Sequence, residues 1–395
     1  MDTSRELNKF EKIAERKREF AARRPNEQLL DFGVAEPRHD PSPKIIDELV
    51  RASRLPAVAR YAENGDERLP AAASHYLRQV FRVACPETQI VHSMGIKAAL
   101  GIMAVALLRP GDVVLSTIPC YPTMITFAGY LGAEVYGLPI SDENSFIPHL
   151  EHIPQSILKR SKILSLNYPN SPTGASADLQ FFLRAARLCD EHQICLVHDA
   201  AYGPLTYGCD PISVLQVPEA MHCAIELHSA SKIFDAPGLR CGFVAGAQEY
   251  VNLYAIAKTN VDSGQYLPIQ YAAAYGFEHP ELIASIKSRY ERRLRLLGET
   301  LERSEIRFHE PRGGMFIYAR SPSAVKVSNT WREMRNGLAF SEFLIEEFGV
   351  CVVPWDEAGS YVRFSATFDH PGLSEQSVCA ELESRLSQCD FKYSD

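Results

Sequence analysis

Residues Glu226–Phe243 read ELHSASKIFDAPGLRCGF. An apolar run that begins at Cys223 ends in two serines and Lys232, and Arg240 follows eight residues later. Lysine is ordinarily kept in water, because stripping solvent from its charge is costly. Here the preceding residues read as a buried β-strand, which delivers the amine to the strand's end. Ser229, Ser231 and Arg240 beside it form an anion-binding set, the arginine through paired charge-assisted bonds.

The pattern recurs along the chain. DVVLST (112–117), KILSLNY (162–168), ICLVHDAAY (194–202) and GFVAGA (242–247) are short apolar runs. Helix-length segments separate them, with helices expected at 122–131 and 176–192, so βα units and a mainly parallel sheet are expected. The second helix, SADLQFFLRAARLCDEH, opens on a capping region at Ser176 and Asp178. From about residue 279 the character changes: one long amphipathic helix, then strand-like GMFIYAR (314–320), a helix near 337–348, GVCVVPW (349–355), YVRFSAT (361–367) and a helix at 373–388. SPSAVKVSN (321–329) is the most loop-like interior piece. A smaller α+β unit is expected there.

The whole chain narrows the classes of function. Its 395 residues are long for a single core. A formal charge of −8 gives no general support for nucleic-acid binding. Ten cysteines are scattered without a C-x-x-C pair, which favours reduced thiols in a cytoplasmic protein over a disulfide framework. The N-terminal segment has no apolar region of a signal peptide, and Phe10, Ile13 and Phe20 suggest a helix packed by a narrow stripe. No run approaches the ~20 apolar residues of a membrane span. His92, His198 and His228 lack metal-site spacing, so no metal is expected; His198 is a candidate supporting partner for Asp199.

Ligands of open α/β sheets gather at the carboxyl ends of strands. ICLVHD ends in Asp199 with Tyr202 just beyond, and the next run ends at Ser229, Ser231 and Lys232. A lysine held there can act as a nucleophile toward an aldehyde. A buried aspartate can keep a pyridine nitrogen protonated, and a tyrosine can donate to a phenolate oxygen. These are the needs of pyridoxal 5'-phosphate. Ser229-x-x-Lys232 with Arg240 beyond, and Asp199-x-x-Tyr202 upstream, resemble the fold-type I aminotransferases of class I/II.

The resemblance covers nearly the whole chain. RYAENGDERL (60–69) is similar to the segment whose tyrosine, here Tyr61, reaches a phosphate across a homodimer interface. HSMGIKAAL (92–100) resembles the glycine turn that cradles the phosphate at a helix N-terminus, implying contacts from Ile96 and Lys97. IPCYPTM (118–124) implies that Tyr121 stacks on the cofactor ring. NYPNSPTG (167–174) is close to an Asn-Pro-Thr-Gly motif, and YVRFSAT puts Arg363 where the family grips the substrate carboxylate. The phrasing of NYPNSPTGASADLQFF, HDAAYGPLTY and KTNVDSGQY resembles the LL-diaminopimelate aminotransferase group.

The resemblance implies an α/β fold. A large cofactor domain (46–285) would carry a mainly parallel sheet with helices on both faces, beside a small α+β domain (286–395) joined by residues 1–45. It implies an aldimine at Lys232, amino-group transfer from an amino acid to a 2-oxo acid, and catalytic roles for Asp199 and Tyr202. Three positions depart from the pattern. Ser171 stands where an asparagine usually bonds the ring oxygen, Ala35 where a glycine lines the carboxylate pocket, and Asn8 where a substrate-contacting tyrosine is found. Elimination, replacement or cyclisation on the same cofactor therefore stays open beside transamination.

Overall fold

The computed structural model describes residues 9–62 and 64–394; Asn8 and the side chain of Phe10 lie outside the described set. Seven strands form the central sheet: β1 (Ile90–Ser93), β2 (Val113–Ile118), β3 (Glu134–Pro139), β4 (Ser161–Asn167), β5 (Cys195–Asp199), β6 (Ala224–Ser229) and β7 (Gly242–Gly246). Their order is β1-β7-β6-β5-β4-β2-β3. β7 runs antiparallel to both neighbours, and every other pairing is parallel.

Every residue of β5 and β6 is buried, the signature of strands covered on both faces. Successive side chains alternate between two cores. Leu164 and Leu196 join Phe181 and Phe182 of helix Leu179–His192 on one face. Val197 and Ile225 join Leu100 and Met103 of helix Ile96–Leu107 on the other. Asp178, rather than Ser176, caps the first of these helices, its carboxylate accepting from Phe181 N at 2.7 Å.

The C-terminal part builds a four-stranded antiparallel sheet from Val353–Pro354, Tyr361–Ser365, Phe316–Arg320 and Phe308–His309. The long helix is continuous over Leu282–Arg303. The apolar run 349–355 is not one strand. Val350–Cys351 pairs with Leu30–Asp31 and Val353–Pro354 with Tyr361–Ser365, so one short stretch serves two sheets. The first pairing places residues 33–36 at the sheet's edge. In helix Lys9–Arg23, Ile13 and Phe20 pack with Ile345 and Cys351, as the stripe implied. The stretch 321–329 is not a loop: Ala324–Val327 forms strand pairs with Thr330–Glu333 and with Asp390–Lys392. Its alternating polar residues lie on a small, half-exposed sheet, which gives little apolar signal. Among the described residues no helix is long and apolar enough to cross a membrane.

Gly242 pairs with Ser229 where β6 meets β7, and a Cβ there would stand 2.1 Å from His228 O. Backbone, not a flexible side chain, is the obstacle. Gly242→Ala should destabilise the fold by about 3 kcal/mol, read as a lower urea midpoint; an unchanged midpoint would mean this pairing is looser than described.

Candidate active site

Three neighbouring parallel strands end together at Asn167, Asp199 and Ser229. A cavity of about 540 Å³ opens at this edge. It gathers Lys232, Asp199, Tyr202, Tyr121, Ser171 and Arg363, together with Ala35 from the N-terminal segment. Ile96, Lys97, Ser229, Ser231 and Arg240 line it as well.

Lys232 sits on a single helical turn, Ala230–Ile233, that the end of β6 initiates: Ser229 Oγ accepts from Ser231 N at 3.1 Å. Its Nζ donates to Ala35 O. Loss of solvent, and then the charge of Arg363, lower its pKa to about 8, with Glu36 opposing. Half the amines are then neutral in weakly alkaline solution, the form a nucleophile or base requires.

One side of this amine is built for an anion. Gly95, at φ +78°, turns the chain into helix Ile96–Leu107, leaving the first-turn amides of Ile96 and Lys97 unpaired within the helix. A Cβ on Gly95 would meet Arg240 Nη2 at 2.9 Å, so glycine lets the guanidinium close over the turn. Arg240 Nη1 lies 3.4 Å from Ser231 Oγ, and Ser231 Oγ 2.9 Å from Ser229 Oγ.

Another part of the cavity is acidic. Asp199 is buried, and burial raises its pKa to about 6; the Ala201 N–H bond (3.0 Å) and His198 pull the other way. Asn167, which the sequence reading did not single out, ties this region together. Its Nδ2 donates to Asp199 O at 2.9 Å while its Oδ1 accepts from Ser171 N at 2.7 Å. Its place at the end of an apolar run, in register with Asp199, was the available signal. Tyr202 is buried edge-on against Phe316, and loss of solvent lifts the hydroxyl pKa of both Tyr202 and Tyr121, keeping them as donors.

Arg363 arrives from the C-terminal sheet. It is buried between the rings of Phe316 and Trp355, at 5.1 and 5.0 Å, and its Nη2 donates to Gly33 O at 3.3 Å. Its Nη1 donates to Ser171 Oγ at 3.2 Å, so the hydroxyl found in place of an asparagine contacts the arginine. Tyr61 is not in the cavity: it is 85% exposed. Asn8 lies outside the described residues.

The donor set fits pyridoxal 5'-phosphate: a cationic, hydroxyl-lined cradle that a Cβ would crowd, a buried carboxylate for a ring nitrogen, and a depressed amine for an aldehyde. Comparisons agree. Residues 27–374 match the family of class I and II aminotransferases. The LL-diaminopimelate aminotransferases of Methanocaldococcus jannaschii and Methanococcus maripaludis are 38% and 35% identical, each over 98% of this chain and 94% of the relative. A substrate-bound structure of BacF from Bacillus subtilis superposes with a TM-score of 0.89 at 28% identity, covering 100% of this chain and 97% of that one. Aspartate aminotransferase from Thermus thermophilus with maleate gives 0.82 at 25% identity, over 97% of each chain. The chain belongs to the class I and II aminotransferases, which use pyridoxal 5'-phosphate to move an amino group between amino acids and 2-oxo acids.

Proposed function

We propose that Lys232 both anchors the cofactor and moves the substrate's Cα proton, and that Arg363 seats the substrate α-carboxylate. The observation that carries this reading is an amine with a pKa near 8 in the same cavity as a buried arginine. Bound pyridoxal phosphate supplies an electron sink for the Cα bond. The chain supplies the rest. Arg363, with Ser171 beside it, fixes the carboxylate and so the direction of the labile bond. Lys232 Nζ, neutral once displaced, would take the Cα proton and deliver it to the former aldehyde carbon of the cofactor. Asp199 would hold a proton at the ring nitrogen, Tyr202 would donate to the ring oxygen, and Tyr121 would cover the ring. Ser229, Ser231, Arg240, Ile96 and Lys97 would hold the phosphate.

The proposed amino donor is a diamino dicarboxylic acid, LL-diaminopimelate first among candidates. Two relatives bearing that name span nearly all of this chain. Glu11 and Glu36 add acidic groups to the cavity wall, which suits a donor with a second ammonium. A second reading, elimination, replacement or cyclisation, draws on Ser171: its hydroxyl, standing where an asparagine usually serves the ring oxygen, accepts from Arg363.

The working form is a homodimer in which Tyr61, too exposed for a role within its own chain, reaches the phosphate of a second copy. The loop carrying it is tied to helix Gln248–Thr259 through Thr259 Oγ1 and Asn64 Oδ1 at 3.2 Å. The large (46–285) and small (286–395) units meet at the site, and the cytoplasm suits ten unpaired cysteines.

Product analysis separates the two reactions. With LL-diaminopimelate and 2-oxoglutarate, stoichiometric glutamate is expected. Ammonia or a cyclic product without glutamate, across a panel of donors, would establish the second reading instead. Sedimentation equilibrium should give twice the chain mass; a monomer that is fully active would remove Tyr61 from the site.

A further inference from the structure

Behind Asp199 lies a buried acid that none of these steps uses. Glu226 of β6 is fully buried. It stands beside His198 of β5 in the sheet register, on the face opposite the one Asp199 presents. Both of its oxygens are satisfied. Oε1 accepts from Ser213 Oγ and His228 Nε2, each at 2.7 Å. Oε2 accepts from Val214 N at 2.8 Å and His198 Nδ1 at 2.9 Å. Only the ionised carboxylate accepts from four donors at once. Burial works to raise its pKa, yet the bonds from His198 and His228 hold it far below the carboxylate range.

An ionised carboxylate with no exposure to water needs a cation. His228 answers only in part: it donates from Nε2, while its Nδ1 makes no hydrogen bond, an arrangement the neutral ring meets. His198 has an oxygen at each nitrogen, Glu226 at Nδ1 and Tyr168 O at Nε2, 3.0 Å away. The imidazolium donates to both; the competing bond from Tyr168 N to Nε2 is longer, at 3.3 Å. Phe182 closes the edge of the ring at 4.8 Å, shielding it from water.

We propose that Glu226 is a positioning residue that keeps His198 doubly protonated, and that the His198 cation in turn holds Asp199 ionised and pins Tyr168, where the segment carrying Ser171 begins. Asp199 adjoins His198 in the chain, and the histidine's charge counters the burial that favours its protonated form. The Ala201 amide and the phenols of Tyr121 and Tyr202 also act on Asp199 and carry no positive charge, while Lys232, Arg240 and Arg363 line the same cavity. Around Glu226, Tyr76 and Cys85 are kept protonated by burial, so neither adds a charge to the network. The consequence for cofactor binding rests on the reading of Asp199 as the partner of the ring nitrogen; the charge of His198 does not.

The test uses the full chain, 15N-labelled at histidine, with and without pyridoxal phosphate, and the His198 signals assigned by their loss in His198→Gln. In the unaltered protein both ring nitrogens of His198 should carry protons at neutral pH. Glu226→Gln should remove one of those protons at neutral pH and weaken pyridoxal phosphate binding roughly tenfold. Ser213→Ala, which removes a bond to Glu226 but not its charge, should leave both protons in place. A singly protonated His198 in the unaltered chain, or two protons persisting in Glu226→Gln, would overturn the proposal. The unaltered chain decides this even if a variant fails to fold. Two protons on His198 in a chain that binds no pyridoxal phosphate would instead sink the cofactor role of Asp199.

Discussion

An ammonium withdrawn from water keeps its proton only where partners replace its hydration, and releases it where they do not. Lys232 is placed on the second side of that balance. Its amine loses solvent and meets a backbone carbonyl and the positive charge of Arg363, so its pKa falls to about 8 although Glu36 opposes the shift. The rest of the site depends on this. β6 must end where it does for Ser229 to start the turn that lifts Lys232 into the cavity, and Arg240 must fold back at positive φ to close the anion cradle beside it. The antiparallel β7 that follows is what brings Arg240 back to that edge.

Much of this was legible in the chain because local signals and tertiary roles coincide. β5 and β6 open on apolar runs, so the polar residues that close or follow them, Asp199 and Lys232, announce the edge of the sheet. Arg363 was legible through a strand with apolar neighbours. The illegible residues owe their roles to register or to distant segments. Asn167 matters because it stands beside Asp199 across a strand pair, and nothing in KILSLNY marks its partners. Glu226 looks like an interruption of an apolar run; its four donors come from three separate places in the chain. Strand Ala324–Val327 was hidden by its half-exposed, polar alternation, and the split of residues 349–355 by uniform hydrophobicity.

The departures take on physical content in the structure. Ser171 does not stand idle where an amide would be: Arg363 donates to it, and Asn167 holds its backbone. Ala35 meets Lys232 through its carbonyl, whereas the backbone partner of Arg363 is Gly33. Arg363 is therefore held by Gly33 O and Ser171 Oγ, with aromatic rings of Phe316 and Trp355 on either side of the guanidinium. Two buried charge systems, Arg363 between rings and Glu226 with its histidines, stand near the cavity on elements from different parts of the chain.

The claim beneath all of this is that the fold holds the amine of Lys232 ready to react. Competitive acylation of the cofactor-free chain across pH, read at the Lys232 peptide by mass spectrometry, measures that readiness directly. Reactivity should rise with pH and be half-maximal near 8, because the neutral amine is the reacting form and its pKa is lowered. A half-point near the ordinary 10.5 would show that Lys232 keeps its proton as a solvated lysine does, and would contradict the account.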